Sequence, residues 1–217
     1  MIANQLSVLL AQRQLTIKQV VEDLHISRSA ISNIMNNPSA NIATETIDKL
    51  CNYLEVEPKD FFVYAPYSIS LSEDFDSKYN PYIIIAVKHS RKEQIYSYEL
   101  FSKTNEPEEI ERQREEKYDL YLTAEEGTYP DSFLKVYKTF PAIFQTQITN
   151  GLIVSIENIL KKHENELLID TYTNRARETQ TFKKFLEPFG KTSLKTSLQF
   201  PWADLDKSFD PIKCSFK

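Results

Sequence analysis

The sequence predicts an all-α N-terminal domain over residues 1–65 followed by an α+β domain over residues 66–217. Three observations predict this. Apolar residues recur at helical spacing as far as Phe62, with gaps of only a few residues between successive stripes. After the Tyr64-Ala65-Pro66 step the period changes to apolar–polar alternation, which belongs to strands. The length, 217 residues, suits one large domain or two small ones with enough chain to bury a core.

The elements follow in order. Leu6, Leu9 and Leu10 make a first apolar stripe, Val20, Val21 and Leu24 a second, and Ile31, Ile34 and Met35 a third. Ile47, Leu50, Cys51 and Leu54 make a fourth. Thr16 and Ser27 stand where side-chain caps start helices, and Thr44 or Thr46 can start the fourth. Pro58 opens a short last helix with Phe61 and Phe62 turned inward.

Beyond the step, YSISLS (67–72), PYIIIAVKH (81–89), EQIYSYELFS (93–102) and KYDLYLT (117–123) read as strands. The charged run PEEIERQREEK (107–117) reads as a solvated helix face. FLKVYKTF (133–140) and AIFQTQITNGLIVSIENILKKHEN (142–165) read as helices, and ELLIDTYT (166–173) as a strand. RARETQTFKKFLEPFG (175–190) reads as a helix ended by Pro188 and Gly190, and SLKTSLQF (193–200) as a final strand.

Composition narrows the function classes. The chain is globular in balance, with 41% hydrophobic and 26% charged residues and a formal net charge of −5. An acidic balance argues against indiscriminate binding to nucleic acids or membrane surfaces. Two cysteines, Cys51 and Cys214, cannot build a disulfide framework, and Cys51 lies on an apolar stripe as a core thiol. A reducing, cytoplasmic location is expected. The N-terminal MIANQLSVLLAQRQ has neither a basic start nor a long apolar run, so no signal peptide is expected. No stretch approaches the ~18–20 apolar residues of a membrane span. The three glycines, Gly127, Gly151 and Gly190, are too few and too scattered for a phosphate-cradling loop.

The stretch DLHISRSAISNIMNN (23–37) carries the most information. A helix that enters the DNA major groove must expose short polar side chains on one face. With Ser27 as cap, Arg28, Ser29, Ser32, Asn33 and Asn36 fall on the outer side, while Ala30, Ile31 and Ile34 face inward. Arg can pair with guanine O6 and N7 in bidentate fashion, and Asn with adenine N6 and N7. The longer segment LTIKQVVEDLHISRSAISNIMNN resembles the helix-turn-helix of phage repressors and Xre/Cro-like regulators. The resemblance runs from about Leu6 to Phe62 and includes EVEPKDFF, similar to that family's closing helix. It implies an all-α helix-turn-helix domain, with base reading by Arg28, Ser29 and Asn33 and phosphate contacts from Lys18, Ser27, Ser32 and Asn36.

Three positions depart from the family pattern. His25 stands where a turn glycine is common, and His is among the residues that tolerate positive φ. Ile17 replaces a glutamine that reaches phosphate in relatives, and it cannot do so. Leu10 and Met35 replace an Arg–Glu pair, an exchange of charge for packing that costs little. Leu10 and Met35 are therefore expected to touch.

Residues 1–65 hold five Lys or Arg and seven Asp or Glu, a net −2. With so few cationic side chains, backbone N–H groups and helix N-termini must carry more of the phosphate contact. A homodimer on two half-sites about one DNA turn apart doubles the contacts, so dimeric binding with a steep salt dependence is expected.

Residues 66–217 carry no enzyme signature, and no catalytic residue, cofactor or metal is expected. His25, His89 and His163 lie far apart, and HENEL (163–167) lacks the second His of a zinc-protease helix. Neither a serine nucleophile elbow nor an Ala-Gly or Cys-Gly autocleavage dipeptide occurs. QITNGLIVSIENILKKHENELLIDTYTNRARETQTFKKFLEPFG, read as helix, strand, Asn174, helix, resembles the C-terminal half of GNAT-type acetyltransferases, but Gly151 is misplaced for their pyrophosphate loop. Tyr96, Tyr98, Phe101, Tyr118, Tyr121, Phe140 and Phe144 read as core, with some available for self-association. The tail is basic from Arg175, through Arg177, Lys183, Lys184 and Lys191 to Lys217, and reads as a solvated surface.

The leading expectation is a sequence-specific, dimeric transcriptional repressor that binds double-stranded DNA through residues 27–36. Its second domain would dimerise or sense a small ligand or protein partner. The alternatives are a protein-inhibiting module of the phage anti-defence kind with an autoregulatory helix-turn-helix, and a GNAT-like acyltransferase.

Overall fold

The apolar stripes of the N-terminal region become helices α1 (Leu6–Gln12), α2 (Ile17–Leu24), α3 (Arg28–Asn36), α4 (Thr44–Leu54) and α5 (Pro58–Phe61). The structure is a computed structural model and describes residues 1–77, 80–102, 120–126, 132–173, 176–187 and 194–209. The charged run 107–117, Tyr118, Gly127, Asn174, Arg175, Pro188, Gly190, Lys191 and the segment from Asp210 through Cys214 to Lys217 lie outside the described residues, as do the side chains of Phe101, Tyr121 and Arg177.

Leu6, Leu10, Val20, Ile31, Leu50, Leu54 and Phe61 are almost fully buried in one cluster, and Met35, Ile17 and Val21 pack against it. Met35 packs against the cluster that holds Leu10. Cys51 is a buried free thiol in the same cluster, and burial followed by the nearby Asp48 charge pushes its pKa up.

Helix starts follow the capping chemistry. Thr16 Oγ1 accepts from the Gln19 backbone N–H at 3.3 Å while Gln19 Oε1 accepts from the Thr16 N–H at 2.8 Å, a reciprocal capping box. Ser27 Oγ accepts from the Ala30 N–H at 3.2 Å. α2 ends in the left-handed region at His25 (φ 53°) and α4 does so at Glu55 (φ 51°). A residue with Cβ is strained there, and the expectation for His25 holds in geometry.

The all-α expectation for residues 1–65 needs correction. β1 (Ile2–Asn4) pairs antiparallel with β2 (Phe62–Tyr64), in the register Ile2↔Tyr64, Ala3↔Val63 and Asn4↔Phe62. Strands of three residues are too short to display alternation, and the pairing joins the two ends of the segment, so no local pattern announces it. The unit comprises Met1–Ser68 together with Phe140–Gln147. Within it Tyr67 and Phe140 meet edge to face with centroids 5.1 Å apart, and Gln147 Nε2 donates to Ser39 Oγ at 3.1 Å.

The other unit comprises Ile69–Thr139 and Ile148–Lys217. Among its described residues is a six-stranded mixed sheet in the order β10-β9-β6-β5-β4-β3. Its strands are β3 (Ser68–Phe75), β4 (Pro81–His89), β5 (Lys92–Ser102), β6 (Leu120–Glu126), β9 (Leu194–Phe200) and β10 (Ala203–Phe209). β6 and β9 run parallel, while β4–β5, β5–β6 and β9–β10 are antiparallel. β4 alternates strictly, with Ile83, Ile85 and Val87 buried.

Helices α6 (Phe133–Tyr137) and α7 (Ala142–Lys162) follow the predicted stripes. Leu152, Ile156 and Ile159 of α7 are buried at helical spacing. Thr149 Oγ1 bonds Tyr137 Oη at 3.1 Å and accepts from Trp202 Nε1 at 3.2 Å. Trp202 stacks on Tyr137 and Phe200, with centroids 4.5 and 5.5 Å away.

Two predicted elements differ. Residues 175–190 do not form one helix: β8 (Ala176–Thr181) pairs antiparallel with β7 (Leu168–Thr173), and among the described residues the α-helix there is α8 (Phe182–Leu186), capped by Thr181. The Arg and Glu residues favour a helix, but pairing with the preceding strand overrides that weak local preference. Among the described residues, α7 and β7 are followed by β8 and not by the second helix on which the acetyltransferase resemblance rests. Nor is 193–200 the last strand. β10 pairs back on β9 across Pro201-Trp202, and its acidic and basic residues hide its strand character.

Candidate nucleic-acid interface

α2 and α3, joined by His25, Ile26 and Ser27, form a helix–turn–helix pair. The left-handed His25 stops α2, where its N–H reaches the Val21 carbonyl at 3.0 Å, and the Ser27 cap starts α3 two residues on. Ile31 and Ile34 anchor α3 in the core. At 100° per residue, Arg28, Ser32, Asn36, Ser29 and Asn33 fall in that angular order within an arc of about 140°. Arg28, Ser29, Asn33 and Asn36 are exposed, as is Ser27, whereas Ser32 is half-buried. Ser27 and Ser29 hydroxyls lie 3.2 Å apart.

These six residues are brought onto one short segment. Lys18 stands apart on α2, 80% exposed and 3.7 Å from Glu22. An exposed pair of this kind is worth little and leaves the ammonium available to a phosphate. Arg28 is the sole cation on α3. The face is thus polar and hydrogen-bonding rather than strongly basic, which suits reading of base edges better than general affinity for the DNA backbone.

Two supports of the pair escaped sequence reasoning. Tyr53 Oη on α4 donates to Asp23 Oδ2 on α2 at 2.6 Å, and that bond, ahead of burial and the Asp23 charge, pushes the Tyr53 pKa up. Asn4 on β1 is 3% exposed, and its side-chain amide bonds the carbonyls of Ile34, Asn37 and Pro38 at 3.0–3.1 Å. A lone Asn beside a leucine stripe gives no sign of a contact some thirty residues away.

An exposed polar helix face, set behind a left-handed turn and fixed in a small helical core, defines a helix-turn-helix domain. Residues 5–66 match the model of the Cro/C1-type helix-turn-helix DNA-binding domain, and this segment is such a domain. Searches of curated proteins and of solved structures give no match. Among the described residues no helix is long and apolar enough to cross a membrane.

Proposed function

We propose that this protein is a sequence-specific transcriptional regulator that acts as a dimeric repressor and reads its operator through residues 27–36. The observation that carries the reading is the exposed face of α3, where Arg28, Ser29 and Asn33 stand free of the core inside a Cro/C1-type domain. Arg28 pairs with a guanine, Asn33 pairs with an adenine, and Ser29 bonds a neighbouring base edge. Lys18, Ser27, Ser32 and Asn36 hold flanking phosphates, and the helix N-termini add backbone N–H donors. Dimerisation follows from charge. The net −2 of residues 1–65 leaves a single copy with few phosphate contacts, and a second copy doubles them. Residues 66–217 supply the dimer contact or the response to a small ligand or protein partner.

Selection from a random duplex library with the full chain tests this. The expected product is a pseudo-palindrome with half-site centres about 10 base pairs apart, or a multiple of that spacing. A library that stays random after repeated selection overturns the proposal.

A further inference from the structure

We infer that Asn4 is a positioning residue for DNA reading: its buried amide closes the C-terminal end of α3 from another part of the chain and fixes the angle at which α3 presents its outer face. The inference rests on the DNA-reading role proposed for α3.

The last carbonyls of any α-helix lack partners within the helix. α2 and α4 end in left-handed residues that turn the chain back. α3 does not: its C-cap Asn37 is extended, at φ −120° and ψ 94°. The Asn37 N–H satisfies only the Asn33 carbonyl, at 2.9 Å. The Ile34 carbonyl is met instead by Asn4 Nδ2 at 3.1 Å, and the same amide reaches the Asn37 and Pro38 carbonyls at 3.1 and 3.0 Å. Two amide hydrogens are thus shared among three acceptors.

The other half of the side chain is also used. Asn4 Oδ1 accepts from the Leu6 N–H at 3.1 Å, at the start of α1. The Asn4 backbone N–H donates to the Pro38 carbonyl at 2.7 Å. One buried side chain therefore ties the β1–α1 corner to the exit of α3. Both polar atoms of the Asn4 side chain and its backbone N–H are engaged, which a filler residue at a buried position would not require. Asp has the same shape but no donors, and its carboxylate would face three carbonyl oxygens. Asn4→Asp thus removes the tie with little change in volume.

Full-length wild type and Asn4→Asp are compared at a temperature where circular dichroism shows both folded. Asn4→Ser serves as a second, uncharged variant. Two quantities are read: backbone amide exchange along residues 1–68, and the affinity ratio of the selected duplex to a scrambled one. We expect exchange of the amides from Ile34 to Ala40 to rise about tenfold, with α2 and α4 changing much less. The affinity ratio is expected to fall about tenfold, with scrambled-DNA affinity unchanged.

Exchange that rises evenly over all the helices, or an unchanged affinity ratio, overturns the inference, because Asn4 would then only add global stability. If neither variant folds, Asn4→Gln, which retains the amide, must fold and keep the selectivity within a few-fold of wild type, and its failure also overturns the inference. A wild type that selects no sequence removes the proposed function instead, and the exchange pattern alone then decides whether Asn4 holds the end of α3.

Discussion

Single residues of the N-terminal unit carry backbone strain and polar ties that can each be tested. His25 holds φ 53°, where a Cβ costs about 1 kcal/mol, and glycine relieves that at some cost in unfolded-chain entropy. His25→Gly should therefore raise stability by no more than about 1 kcal/mol, seen as a higher melting temperature, with DNA selectivity unchanged. A fall in stability would mean that His25 makes a contact beyond the turn. Tyr53 gives a pH-dependent test. Its pKa is raised by the bond to Asp23, so the neutral phenol is favoured in the folded state. That contribution is fully present below the ordinary tyrosine value of about 10 and is lost as pH rises through the raised folded value. Tyr53→Phe should lower stability slightly at neutral pH and cease to differ from wild type in strongly alkaline buffer. Denaturant titrations at both pH values check this. Cys51, buried and with its pKa pushed up, should resist alkylation until the unit unfolds.

At the scale of elements, helices were legible where periodicity ran long enough and strands where alternation met a turn. α2 and α3 were readable from their apolar stripes and from Thr16 and Ser27, because capping is a local interaction. β4 and β5 were readable from IIIAV and IYSYEL. β1 and β2 were not, because each has three residues and its partner lies at the far end of the segment. The mistaken helix at 175–190 has the same origin: pairing with β7 is tertiary, while the Arg, Glu and Lys content is local. The exposed polar face of α3 was legible at Arg28, Ser29, Asn33 and Asn36, though Ser32 is half-buried, whereas the support of α3 by Asn4 was not, since no spacing links residue 4 to residues 34–38. Packing of α7 also lay beyond the sequence. Thr149 bonds both Tyr137 and Trp202, so Thr149→Val keeps the shape but removes both bonds, at a cost of about 1–3 kcal/mol. Fluorescence of Trp202, the one tryptophan of the chain, reports the loss as an earlier unfolding midpoint.

For the whole molecule, the balance between a mildly acidic reading domain and a polyanionic ligand decides how binding must work. Each phosphate neutralised contributes a slope of about −0.9 to the logarithmic salt dependence, so a dimer using Lys18 twice loses about two units of slope on Lys18→Ala. The preferred sequence should stay the same, because a phosphate contact positions the protein without reading bases. The second unit holds the mixed sheet and an aromatic pile around Trp202. Whether DNA selectivity depends on protein concentration tests the proposed dimeric binding. The central claim is that α3 reads bases. It is tested most directly by measuring the affinity of wild type and Asn33→Ala for the selected duplex and for every single-base-pair change in one half-site. Wild type should lose about 1–3 kcal/mol when one particular adenine is replaced, and Asn33→Ala should be indifferent at that position while keeping its other preferences. An Asn33→Ala profile identical to wild type at every position, with Arg28→Ala equally silent, would contradict it.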